Sequence, residues 1–91
     1  MTVEDEIIAD SIDYYGRNNQ SVVCMEECAE LAQAISKELR GKSDKEHLTE
    51  EIADVYICIE MLMQMYAISE NEVQRWIDKK QKRMKERMKV E

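Results

Sequence analysis

The sequence predicts an all-α protein: one small domain of four helices, bundle-like in arrangement. Three observations carry this. There is no proline or phenylalanine and only two glycines, while good helix formers such as alanine, glutamate, lysine, methionine and leucine dominate. Apolar residues recur at helical spacing in four successive stretches. Three of those stretches open on a Ser or Thr followed three residues later by an acid, the capping-box pattern. At 91 residues the chain buries a limited core, so oligomerisation or a metal is expected to assist the fold.

The first helix is expected over residues 3–15. Thr2 with Asp5 caps it weakly, and Val3, Ile7, Ile8 and Ile12 form its apolar stripe. Gly16-Arg17-Asn18-Asn19 reads as a break of turn-tolerant residues. The second helix runs from about 20 to 40 and ends at Gly41. Cys24, Cys28, Leu31, Ile35 and Leu39 form its stripe, and Glu27, Glu30, Ala34 and Lys37 form a neighbouring face. Ser43 with Glu46 caps a third helix over about 44–67. Its stripe is Leu48, Ile52, Val55, Ile59, Leu62 and Tyr66, beside a face of His47, Glu51, Asp54, Cys58, Met61 and Met65. From Val55 to Ile68 only Glu60 and Gln64 are strongly polar. A helix apolar nearly all round is buried on several sides, which places this one at a subunit interface. Ser69 with Glu72 opens the last helix, from about 70 to near the C-terminus, with Val73, Trp76, Ile77 and Met84 inward and a fraying tail. The chain thus reads as one domain over 1–91: an N-terminal helix and turn over 1–19, an acidic hairpin over 20–67 and a basic helix over 68–91.

Charge narrows the function. The net charge of −7 argues against binding a nucleic acid polymer. Residues 1–60 hold 15 acids and 5 bases, whereas residues 61–91 hold 5 acids and 8 bases. No apolar run approaches the ~20 residues of a membrane span, and nothing resembles a secretory signal, so a cytoplasmic location without a membrane partner is expected. Cys24, Cys28 and Cys58 are expected to be small buried thiols in a reducing compartment. With no CxxC pair and a single histidine, a zinc site is not expected.

The chemistry concentrates in residues 26–54. Glu26-Glu27-Cys28-Ala29-Glu30 lies before the Gly41 break and Glu50-Glu51-Ile52-Ala53-Asp54 after it. Each helix carries a carboxylate pair three residues apart, one turn along one side. In an antiparallel hairpin Glu30 and Asp54 come nearly level, with Glu27 and Glu51 one turn away in opposite directions. Four carboxylates in one small volume need a neutraliser, and a hard divalent cation, Mg2+ above all, fits oxygen donors.

At these residues the chain resembles the MazG-like, all-alpha nucleoside triphosphate pyrophosphohydrolase superfamily, whose pattern is EExxE followed after a spacer by ExxD. Here the pattern is Glu26-Glu27-Cys28-Ala29-Glu30, a 20-residue spacer, and Glu51-Ile52-Ala53-Asp54. The resemblance covers residues of about 20–85. It implies a MazG-type fold assembled as a homodimer or homotetramer. It also implies Mg2+-dependent cleavage of a (deoxy)nucleoside triphosphate to the monophosphate and pyrophosphate, with Mn2+ able to substitute, in house-cleaning or nucleotide-pool control. By motif, Glu27, Glu30, Glu51 and Asp54 are metal ligands, and Glu26 is an outer residue or a helper for the attacking water. Glu26 or Glu27 is the expected proton acceptor.

Phosphates need cationic partners: Lys79, Arg83 and Lys80 on the last helix, and Lys37 on the second, are candidates. His47 shares a face with Glu51 and Asp54 and is a possible auxiliary. Trp76 could stack on a base, although core packing is the expectation for it. Two rival readings stand: a phosphoribosyl-ATP pyrophosphatase-like enzyme, a group that tends to show Tyr-His shortly after the second acidic motif, where this chain has Val55-Tyr56-Ile57-Cys58, and a non-enzymatic helical interaction module. A di-iron bundle wants Glu-x-x-His pairs that the single histidine cannot supply.

Overall fold

The computed structural model describes residues 1–89, all helix and short connections: α1 (Asp5–Tyr15), α2 (Arg17–Leu39), α3 (Lys45–Met65) and α4 (Glu70–Lys89). Residues 90–91, the end of the expected basic helix, lie outside the described residues. Among the described residues no helix is long and apolar enough to cross a membrane.

α1 starts later than its pattern suggests. Glu4 holds the cap position and no side chain caps the helix, so the Thr2–Asp5 box does not form. Val3 instead packs against the core. The expected four-residue break after α1 is a single residue. Gly16 ends α1 and begins α2 at φ +92°, ψ 152°, a region that glycine alone visits freely. Its N–H donates to the Ile12 carbonyl at 2.8 Å and its own carbonyl accepts from Gln20 N at 3.0 Å. Arg17, Asn18 and Asn19 are therefore already helical, and Asn19 uses its side chain instead, donating to the Tyr15 carbonyl at 2.8 Å.

The core joins α1, α2 and α3. Ile8, Cys24, Cys58 and Met61 are buried, with Val3, Ile12, Leu62 and Met65 around them. Gln20 is buried among them; its amide donates to Ser11 Oγ at 2.6 Å and approaches Met61 Sδ at 3.8 Å. These positions show that both hairpin helices are rotated from their expected faces. On α2 the inward line is Gln20, Cys24, Glu27, Leu31 and Ala34, while Cys28, Ile35 and Leu39 are exposed. On α3 the inward line is Glu51, Asp54, Cys58, Met61 and Met65, the face expected to flank the stripe. Ile52, Ile59 and Tyr66, from the expected core stripe, are each more than 40 % exposed. Small side chains explain the rotation: Cys24, Ala34 and Cys58 let the helix axes approach where Ile and Leu would hold them apart. The acids therefore sit in the seam between the helices instead of beside it.

The α2–α3 connection sets the register of that seam. Gly41 takes φ +76°, its N–H donates to Glu38 O at 3.1 Å, and Lys42 N donates to Lys37 O at 2.9 Å. This is a Schellman closure, which favours glycine at the left-handed position. The chain then runs back along α2: Ser43 Oγ and Asp44 N donate to the two Glu38 carboxylate oxygens at 3.0 and 2.7 Å. Ser43 is thereby diverted from the expected cap, and Asp44 caps α3 by accepting from His47 N at 3.0 Å.

α4 opens on the expected Ser69–Glu72 box, formed reciprocally: Ser69 N donates to Glu72 at 2.7 Å and Glu72 N to Ser69 Oγ at 3.2 Å. It stays helical to Lys89, past the point where fraying is expected. However, it packs along none of the other three helices and buries no residue. The single chain is thus a three-helix body with a projecting fourth helix, not a closed four-helix bundle. Its radius of gyration of 16.0 Å exceeds the roughly 12 Å of a compact chain of this length.

Candidate metal centre

Glu27 comes from the middle of α2, and Glu51 and Asp54 from the first half of α3. Carboxylate oxygens of the three lie within 4.8 Å of one another. The register that does this differs by about one turn from the expected one. Glu27, not Glu30, meets Asp54, and the charge of Glu30 is felt by Glu51. Residues 42–44 cause the shift, because their return along α2 starts α3 lower than a symmetric turn would.

The centre is short of partners. Glu51 is only 3 % exposed. Glu27 Oε2 and Glu51 Oε2 are both buried with no hydrogen-bond partner. An unpaired buried carboxylate oxygen is expensive, and the local chemistry records it. Burial first, then the approach of the Asp54 carboxyl, then the charges of Asp54, Glu30 and Glu51, push the Glu27 carboxyl up to about 7. Burial also raises Glu51, reinforced by Glu30 and Asp54 and opposed by His47. Without a counter-charge such a cluster retains a proton. The only ion pair among the described residues is the weak one between His47 Nδ1 and Glu51 Oε1, at 4.0 Å. Three converging hard oxygen donors, two with orphaned atoms, fit a hard divalent cation.

The other expected residues divide. Glu30 is exposed and outside the trio, though near enough for its charge to act on Glu27 and Glu51. Glu26 is exposed on α2, also outside the trio. His47 is half-buried and gathered with Glu50 and Glu51 in a second group whose donor atoms also lie within 4.8 Å. Glu50 was not singled out from the sequence as a ligand; the (i, i+3) and (i, i+4) spacing of Glu50 and Glu51 from His47 is the signal that finds it. Lys37 is exposed and makes no ion pair with the trio. Lys79, Lys80 and Arg83 ride on the projecting α4, so one chain does not bring them to the carboxylates. Trp76 is not core: it is 54 % exposed, with Lys79 Nζ 5.0 Å and Lys80 Nζ 6.0 Å from its ring centroid. Of the cysteines, Cys24 and Cys58 are buried as expected, but Cys28 is exposed.

Fold and site together define a class: an all-α domain whose central antiparallel hairpin carries a carboxylate-lined seam able to hold a cation. The particular family follows from sequence comparison. The chain belongs to the MazG nucleotide pyrophosphohydrolase domain family, whose sequence model matches residues 18–88. That stretch starts at the second residue of α2 and takes in α3 and nearly all of α4; α1 lies outside it. A comparison with curated proteins and one with solved structures gave no significant match.

Proposed function

We propose that this member of the family hydrolyses a nucleoside triphosphate to the monophosphate and pyrophosphate, with Mg2+ as its cation and Mn2+ as a substitute. The observation carrying the proposal is the convergence of Glu27, Glu51 and Asp54 with two buried, partnerless oxygens. These three would hold the cation, with Glu30 at its edge. A bound divalent cation supplies charge neutralisation of phosphate oxygens and acidification of a water.

The chain's own residues do the rest. Glu26, exposed beside Glu27, and Glu27 itself are the candidates to accept a proton from the attacking water. The acidic body needs basic partners for a polyanion, and Lys79, Lys80 and Arg83 are not brought to the seam of their own chain. We assign them to a homodimer or homotetramer in which α4 of one copy serves the seam of another. The open stripe of Ile52, Tyr56 and Ile59 on α3 is the surface that assembly would cover. Lys37 is the in-chain alternative.

The test is release of pyrophosphate from a panel of canonical and modified nucleoside triphosphates, with and without Mg2+. Turnover of at least one nucleotide, abolished by chelation, is expected. A folded, metal-loaded protein that cleaves none of them contradicts the proposal.

A further inference from the structure

Two surfaces of this chain lack partners and are opposite in charge. On the side of α3 away from the seam, a groove of about 660 Å³ is lined by Asp5, Glu6, Glu60 and Glu70 together with Met63 and Ile68. It continues past Val73 and Ile77 of α4, and no Lys or Arg lines it. Its acids do not converge as a cation cage does: among the described residues the clustered donor groups lie at the seam and at His47. Charge spread along a partly apolar groove suits a partner whose positive charge is equally spread.

The second half of α4 has that form. Residues 70–78 hold three acids and one base, whereas residues 79–89 hold seven bases and one acid. Ile77, Met84 and Met88 are exposed and fall on one stripe of the helix, with Lys85 on one flank and Arg87 on the other at ~100° per residue. Among the described residues the only ion pair is His47–Glu51, so neither these bases nor the groove acids are paired within the chain. The tail cannot fill its own groove. Glu70 and Lys85 lie on one continuous helix, about 22 Å apart at 1.5 Å per residue.

We infer that α4 pairs antiparallel with α4 of a second copy, each tail seating in the other copy's acidic groove. A twofold axis near Ile77 brings Met84 and Met88 of one copy onto Met63 and Ile68 of the other, with Lys85 and Arg87 toward Glu6, Glu60 and Glu70. A parallel pair would set the bases of one tail against those of the other. Lys79 and Arg83 fall roughly 110–150° round α4 from the paired stripe. They are thus left to serve the seam of a further copy, which makes the assembly a homotetramer. The inference does not depend on the cation centre.

Zero-length carbodiimide cross-linking of the full chain tests this, with labelled and unlabelled protein mixed and the products read by mass spectrometry. Lys85 should join Glu70 between chains. Lys85→Glu with Arg87→Glu should keep helicity and weaken self-association in sedimentation about tenfold or more. Glu6→Lys with Glu60→Lys should do the same. An equimolar mixture of the two double variants should recover the wild-type species, because every tail again meets a groove of opposite charge. A tail variant that sediments like wild type, or a mixture that does not recover, overturns the pairing. So does binding of wild type to phosphatidylserine vesicles without any Lys85–Glu70 link, which would make α4 a membrane-surface helix.

Discussion

The two halves of the α2–α3 seam use the same pair of helices and opposite chemistry. In the half nearer α1, Gln20 and Cys24 face Cys58 and Met61, and closure is complete. Cys24 Sγ donates to the Cys58 carbonyl at 3.6 Å. Burial raises both thiols, Cys58 to about 12, so they stay neutral and need no counter-charge. In the half nearer Gly41, Glu27, Glu51 and Asp54 occupy equivalent inward positions and leave two oxygens without partners. The packing that closes one half leaves the other short of partners. Stability should reside in the first half, and pH and metal dependence in the second.

Five substitutions and a pH series probe the molecule, beginning with the largest effect. Glu51→Gln and Asp54→Asn should each lower kcat/KM for the nucleotide by about 100-fold or more, at least what loss of a supporting residue around a metal costs, with helicity intact. Met61→Ala, in the closed half and 8 % exposed, should cost about 2–3 kcal/mol in urea unfolding and leave cation affinity unchanged. A loss of cation affinity there would mean that the two halves are not separable.

The pH dependence of the metal-free protein is a smaller effect with a definite sign. Glu27 rises from 4.5 to about 7 on folding, so the folded state favours its protonated form. The stability this gives is complete below about pH 4.5 and is lost as pH rises through about 7. Cation affinity should rise over the same window, since cation and proton compete for Glu27. Glu27→Gln should flatten the stability slope, which thermal unfolding in chelator at several pH values will show. Ile59→Glu, on the open stripe of α3, should leave helicity unchanged and shift sedimentation toward the monomer. Unchanged sedimentation would mean that α3 is not an assembly surface.

Much of this was legible in the sequence. Four helices, the Gly41 stop, the Ser69–Glu72 box and the meeting of the two acidic motifs follow from local patterns. What escaped depends on non-local choices. Periodicity offers two adjacent faces on α2 and on α3, and hydropathy favours the larger one. Within a single chain the slimmer face, with Cys24, Ala34 and Cys58, permits the closer approach. The register hung on Glu38 binding Ser43 and Asp44, a loop contact that no spacing rule announces. The inward side of α4 could not be read because the chain offers it no neighbour, and Trp76 accordingly carries lysines in place of a core. Glu50 was hidden by the louder Glu51–Asp54 pair; only its placement beside His47 separates it from an ordinary surface acid.

Whether the carboxylate half of the seam holds a cation is decided by thermal unfolding of wild type and Asp54→Asn, each with Mg2+ and with chelator at pH 7.5. Wild type should gain stability from Mg2+, and the variant should gain little. In chelator the variant should melt at or above wild type, because removing a carboxylate relieves repulsion within the cluster. If Mg2+ leaves wild type unmoved while Asp54→Asn melts lower in both conditions, Asp54 is a structural partner and the seam holds no cation.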